Sequence, residues 1–158
     1  MKKQSWKTYG FWILLSEAVG ILSGLLTRQG VEDYGASIIP APLSPPAIVF
    51  PIVWTILYAL MGISAARIYL SPPSEDRTVG LWIFGLQLAF NFFWSLIFFN
   101  AQNFGFALVW IIALWLLIIW MILTFRKVDT TAALLQIPYL LWVTFATYLT
   151  YTVWQLNA

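Results

Sequence analysis

Cysteine and histidine are both absent from this chain. Their absence excludes disulfides, thiolate nucleophiles, imidazole metal sites, axial histidine ligation of haem iron and every histidine-based triad. Charge is nearly as scarce: Lys and Arg number 8 and Asp and Glu 6, or 9% of 158 residues, where a soluble domain is roughly a quarter charged. So few charges cannot cover a water-facing surface. The bases leave a net charge of +2 and a pI near 9.0, but they stand at the ends of apolar segments and form no patch of the kind that binds nucleic acid. Nucleic acid is therefore not an expected partner.

Apolar residues take up 61% of the chain and the mean hydropathy is +0.84. The scattered charges cut it into five segments of about the 20 apolar residues that a membrane-spanning helix needs. The expected fold is an all-α integral membrane protein, a five-transmembrane-helix bundle in a single domain over residues 1–158. Its helices run over about 6–26, 46–69, 79–100, 104–125 and 132–154, with one long connection, 27–45. The first segment follows a basic Met1-Lys2-Lys3 start as a signal peptide would, but it carries Glu17, runs on through Gly20 and Gly24 and has no Ala-x-Ala site. It reads as a retained helix.

Short links force successive helices to run antiparallel. Lys2, Lys3, Lys7, Arg67, Arg77, Arg126 and Lys127 then fall on one side and only Arg28 on the other. The positive-inside rule places the N-terminus in the cytoplasm and the long connection and C-terminus outside. That bias, with no Arg/Ser-rich leader, favours the plasma membrane of a bacterium. Pro51 and Pro138 fall inside the second and fifth spans; each is either a kink satisfied by neighbouring helices or a device that opens space between them.

Several faces carry candidate function. Phe50, Trp54 and Tyr58 recur at four-residue spacing and align three rings on one side of the second span. Gln87, Asn91 and Trp94 share a face of the third, where amides in lipid must meet protein, water or ligand. The fifth sets Trp142 one turn from Ala146, a large ring beside a notch. Single rings of this kind also serve as packing or interfacial anchors, but rings from three helices with two amides under a proline-rich connection describe an apolar pocket with sparse polar contacts. Ser16, Gly20 and Gly24, with Ser23 beside them, and Gly85 with Ala89 are small-xxx-small patterns. These serve close packing within the monomer or, for Gly85 and Ala89, a homodimer seam. The fourth span is apolar on every face, with Trp110, Trp115 and Trp120 forming no stripe, so it should face lipid or a partner helix. Glu17 is the one acid in mid-span; it is either a neutral, locally bonded carboxyl or part of a transport path.

Three motifs carry a family resemblance. Pro45-Pro46-x-x-Val49-Phe50-Pro51-x-Val53-Trp54-Thr55-x-Leu57-Tyr58-x-Leu60-Met61-Gly62, Gln87-Leu88-Ala89-x-Asn91-x-x-Trp94-Ser95-x-x-Phe98-Phe99 and Pro138-Tyr139-Leu140-x-Trp142-x-x-Phe145-Ala146-x-x-Leu149 resemble the second, third and fifth helices of the TspO/translocator protein (TspO/MBR) family, once called peripheral benzodiazepine receptors. The resemblance implies a homodimeric five-helix bundle. It further implies that the bundle binds porphyrins, protoporphyrin IX among them, and isoquinoline or benzodiazepine ligands under the first loop, in tetrapyrrole homeostasis and stress response. No cofactor is required; porphyrin enters as ligand. The implied ligand-binding set is Ser23, Phe50, Trp54, Tyr58, Gln87, Asn91, Trp94, Trp142 and Ala146, with Trp54 and Trp142 as the tryptophans of porphyrin degradation.

The chain departs from the family pattern in two places. In the first loop Tyr34 and Pro42 remain of the usual Trp-Tyr and Lys-Pro, with Ala41 in the lysine's place, and Tyr151 is followed by no base to complete a sterol motif. The reading is thus a porphyrin receptor, with light-dependent porphyrin breakdown at Trp54 and Trp142 and tetrapyrrole transport as rivals. No conventional acid-base or nucleophilic centre is present.

Overall fold

A computed structural model describes residues 3–158, with side chains from Ser5 onward. Met1 and Lys2 of the basic start, and the Lys3 side chain, lie outside that description. The elements are α1 (Lys3–Leu26), α2 (Arg28–Ser37), α3 (Val49–Tyr69), α4 (Glu75–Ser95) widening into a π turn (Leu96–Asn100), α5 (Phe104–Val128), α6 (Thr130–Leu135) and α7 (Ile137–Asn157). Five stretches are long and apolar enough to cross a membrane: Ser5–Leu26, Val49–Tyr69, Glu75–Asn100, Phe104–Val128 and Thr130–Asn157. The protein is a five-span helical membrane protein. Among the described residues there is no strand.

The bundle has two unlike ends. Arg67, Arg77, Arg126 and Lys127 gather at one; α2 covers the other. At the basic end Arg67 pairs with Asp129 at 2.8 Å, and Asp129 also accepts the Thr131 N–H at 3.0 Å, capping α6. At the α2 end the Asn157 side chain accepts the Ile39 N–H at 2.9 Å and donates to the Ile39 carbonyl at 2.9 Å. This two-way bond ties the stretch after α2 to the end of α7.

Three expectations need correction. The connection over 27–45 is not all loop, since Arg28–Ser37 is helical. Its two glycines and mixed polarity hide it from periodicity, and packing makes it: Tyr34 lies 5.3, 5.4 and 6.3 Å from the rings of Phe98, Phe99 and Phe104. Second, α4 starts at Glu75 rather than near 79, because the Ser74 hydroxyl accepts the Arg77 N–H at 3.0 Å and Glu75 and Asp76 suit the positive helix start. Third, neither proline is a mid-helix kink. Pro51 sits in the first turn of α3 and Pro138 in the first turn of α7 after a break at Gln136, where a missing N–H has no partner to lose.

α5 shows what an all-apolar segment hides. Phe104, Ala107, Ile111, Leu114, Ile118, Met121 and Phe125 are buried, while Val109, Ile112, Leu116, Trp120 and Leu123 are exposed. The buried set steps by three and four and faces α4 and α7. Trp110 stacks on Phe90 at 4.4 Å and donates to its carbonyl at 2.8 Å; Trp115 donates to the Thr144 hydroxyl at 2.8 Å. Each indole therefore fastens α5 to a different neighbour.

Helices α1 and α3 cross at Gly62. A Cβ there would lie 2.4 Å from the Ile13 Cα and 2.8 Å from the Trp12 carbonyl oxygen, so only a residue without a side chain permits the approach. Farther toward the α2 end, a Cβ on Gly20 would fall 2.4 Å from the Tyr58 ring, yet one on Gly24 would meet nothing within 4 Å. The two helices part there and leave space between them.

Candidate functional site

That space is a cavity of about 640 Å³ at the α2 end, within the range of small-molecule sites. α1 contributes from Glu17 to Gly24, Thr27 follows it at the head of α2, α2 gives Tyr34, the following stretch gives Pro40 and Pro45, and α3, α4 and α7 supply most of the rings. α5 contributes nothing and braces α4 and α7 from behind. On each wall helix the lining begins at a definite depth: Glu17 on α1, Tyr58 on α3, Asn91 on α4 and Trp142 on α7. At 1.5 Å per residue Glu17 lies about 15 Å below Thr27. Glu17, Tyr58 and Asn91 form the floor, Trp142 stands on the wall beside Phe50, and α2 with the proline-rich stretch surrounds the mouth.

Eight of the nine candidates share the cavity: Ser23, Phe50, Trp54, Tyr58, Asn91, Trp94, Trp142 and Ala146. The rings line it in three contacting pairs. Phe50 meets Trp142 edge-on at 5.8 Å, Trp54 lies 5.4 Å from Tyr58, and Trp94 stacks on Phe98 at 4.9 Å. Gln87 is the exception: it does not line the cavity and is fully buried behind it. Its Oε1 accepts the Tyr139 hydroxyl proton at 2.6 Å, and its amide nitrogen lies 4.0 Å from the Met61 sulfur. One helical face spans about 100°, so Gln87 and Asn91 share a face of α4 without reaching the same space.

Gln87 belongs to a chain of polar side chains. The Tyr58 hydroxyl donates to Asn91 Oδ1 at 2.5 Å, Asn91 Nδ2 donates to the Tyr139 oxygen at 2.9 Å, and Tyr139 donates to Gln87. In a low-dielectric interior an unmet amide is expensive, and each member here supplies what the next lacks. Bonds of this class within membranes average about 0.6 kcal/mol; their larger effect is to hold Tyr58 and Asn91 in fixed positions at the floor. Tyr139 was not among the candidates. The available signal was spacing, since Tyr139, Trp142 and Ala146 follow at three and four residues on one face of α7.

Two further residues acquire a place. Glu17 lines the floor, and Tyr34 lines the mouth half-buried, its phenol pushed up from its ordinary value by burial and so held as a neutral donor. Ala41, in the position where a lysine was expected, is buried against Phe98 and Phe104 and is not part of the lining. Among the described residues, no lysine or arginine lines the cavity.

The sequence profile of the TspO/MBR family matches residues 12–155. The chain is 37% identical over 151 residues to the tryptophan-rich protein TspO of Chlorobaculum tepidum, covering 95% of this chain and 96% of that protein. It is 36% identical over 150 residues to the human translocator protein, covering 94% and 88%. To the tryptophan-rich sensory protein of Cereibacter sphaeroides it is 37% identical over 114 residues, covering 72% and 70%. With five spans, a match over nearly its whole length and relatives of this similarity, the chain belongs to the TspO/MBR family.

Proposed function

We propose that this protein is a membrane receptor for porphyrins, protoporphyrin IX among them, and for planar isoquinoline- or benzodiazepine-like molecules, serving tetrapyrrole homeostasis and stress response. The carrying observation is that Phe50, Trp54, Trp94 and Trp142 line one cavity whose floor holds the Tyr58 and Asn91 side chains. Offset aromatic contacts contribute about 0.5–1.5 kcal/mol each beyond burial, so a flat ring between these walls gains from several at once. Saturable quenching of tryptophan fluorescence is expected on titration with protoporphyrin IX. In the Trp54→Ala, Trp142→Ala double variant the dissociation constant should rise about 10- to 100-fold, the equivalent of about 1.4–2.8 kcal/mol; an unchanged constant rejects the reading.

A second reading uses the same two indoles, which border one space. A photo-excited porphyrin held there, or the oxygen species that it makes from dissolved dioxygen, reacts at Trp54 or Trp142 and the porphyrin is broken down, with dioxygen as the oxidant. Illuminating the same complexes tests it, because loss of the Soret band no faster than with an unrelated membrane protein would reject it.

The basic end is proposed to face the cytoplasm of a bacterium and the cavity mouth the outside, following the charge bias. A homodimer is proposed through α4. Trp82, Leu86 and Phe93 are exposed there, and Gly85 has nothing within 4 Å of a Cβ position, which leaves a small-residue groove for a second copy. The chain has no cysteine, so Gly85→Cys alone should give an oxidised dimer in membranes, while Leu116→Cys on the outer face of α5 should stay monomeric. Equal cross-linking of both would remove the seam.

A further inference from the structure

Glu17 is the one charged side chain among the described residues that line the cavity. It stands at the floor, three residues from Gly20, whose missing side chain lets the Tyr58 ring close against α1. No hydrogen bond or ion pair of its carboxyl occurs among the described residues; Arg67 and Asp129 form an ion pair at the other end of the bundle. A carboxylate at such depth is unfavourable without a counter-charge. An ionised carboxylate there attracts a cation and repels another carboxylate. The Tyr58 hydroxyl does not offset this charge, because its proton is already committed to Asn91.

We propose that Glu17 makes the floor of this cavity a site for a cationic nitrogen, so that planar apolar ligands bearing an ammonium or protonated ring nitrogen are preferred and ligand carboxylates are kept from the floor. The rings hold the flat body and Glu17 reads the charge, as a charge-assisted hydrogen bond. This rests on the receptor reading above. For a porphyrin it also sets a direction: the carboxylate edge stays toward the mouth, where the Tyr34 phenol is a neutral donor.

Three flat tricyclic probes of nearly one shape test the inference: 9-aminoacridine as cation, anthracene as neutral body and 9-anthroate as anion. Each is titrated near neutral pH into the full chain in nanodiscs of zwitterionic lipid, with empty discs subtracted. Wild type should bind 9-aminoacridine at least about 10-fold more tightly than 9-anthroate. Glu17→Gln should bring the two within about 3-fold while anthracene changes less than 2-fold. Equal affinity of cation and anion in wild type, or a preference that survives Glu17→Gln, overturns the inference.

The receptor reading fails separately. If anthracene does not bind, or binds as well to the Trp54→Ala, Trp142→Ala variant, the cavity is not a ring-binding site and both conclusions fall. If anthracene binds and the double substitution weakens it, yet charge makes no difference, only the role of Glu17 is lost.

Discussion

Gly62→Ala is expected to destabilise the bundle by about 3 kcal/mol, at the upper end of overpacking penalties, and to lower ligand affinity with it. The added methyl would meet Ile13 Cα at 2.4 Å, Ile13 N at 2.6 Å and the Trp12 carbonyl oxygen at 2.8 Å. All three are backbone atoms, which no rotamer change can move aside. Relief requires the whole of α1 to shift from α3. Since α1 supplies the cavity wall from Glu17 to Gly24, the shift also displaces Ser23 and Glu17 from the rings opposite. The comparison is Gly10→Ala in α1, where a Cβ meets nothing within 4 Å; that change should be neutral or stabilise by up to about 1 kcal/mol through helix propensity. Thermal unfolding of both variants in one detergent, followed by circular dichroism, checks the pair. Equal midpoints would show that the α1–α3 crossing does not set the stability.

Ala146→Phe is expected to abolish ring binding, raising dissociation constants more than about 100-fold, while leaving the fold intact or firmer. Ala146 lies one turn beyond Trp142, is 8% exposed and faces the cavity. A phenyl group there occupies the volume in which a ligand would lie against Trp142. Filling existing space adds burial without displacing packed neighbours, and cavity-filling changes commonly stabilise by about 0.5–2 kcal/mol. The diagnostic pattern is therefore opposite signs: a midpoint unchanged or higher, with binding lost. Ala146→Gly should retain binding, because it removes only one methyl from the wall. A Phe variant that is destabilised and still binds would mean that the position packs against protein instead.

Much of the site was legible before any coordinates. Phe50, Trp54 and Tyr58 share a face by spacing alone, and so do Trp142 and Ala146; all five line the cavity. Spacing failed where one face meets two environments. Gln87 and Asn91 are a turn apart, but Asn91 reaches the cavity and Gln87 bonds Tyr139 behind it. The prolines misled for a related reason: a segment of apolar residues does not announce where its helix begins, so Pro51 and Pro138 looked internal when each lies in a first turn.

By itself the sequence determined the class of protein and the number of spans, because scarcity of charge and runs of about 20 apolar residues leave a chain no soluble alternative. It also determined which residues share a helix face, since that follows from 3.6 residues per turn. Tertiary structure alone decided what each face meets. The buried stripe of α5, the helix at Arg28–Ser37 held by Tyr34, and the position of Glu17 on the cavity floor all depend on partners distant in the chain. In a sequence apolar on nearly every side, hydrophobicity does not distinguish lipid from protein, and only the fit of neighbouring helices does.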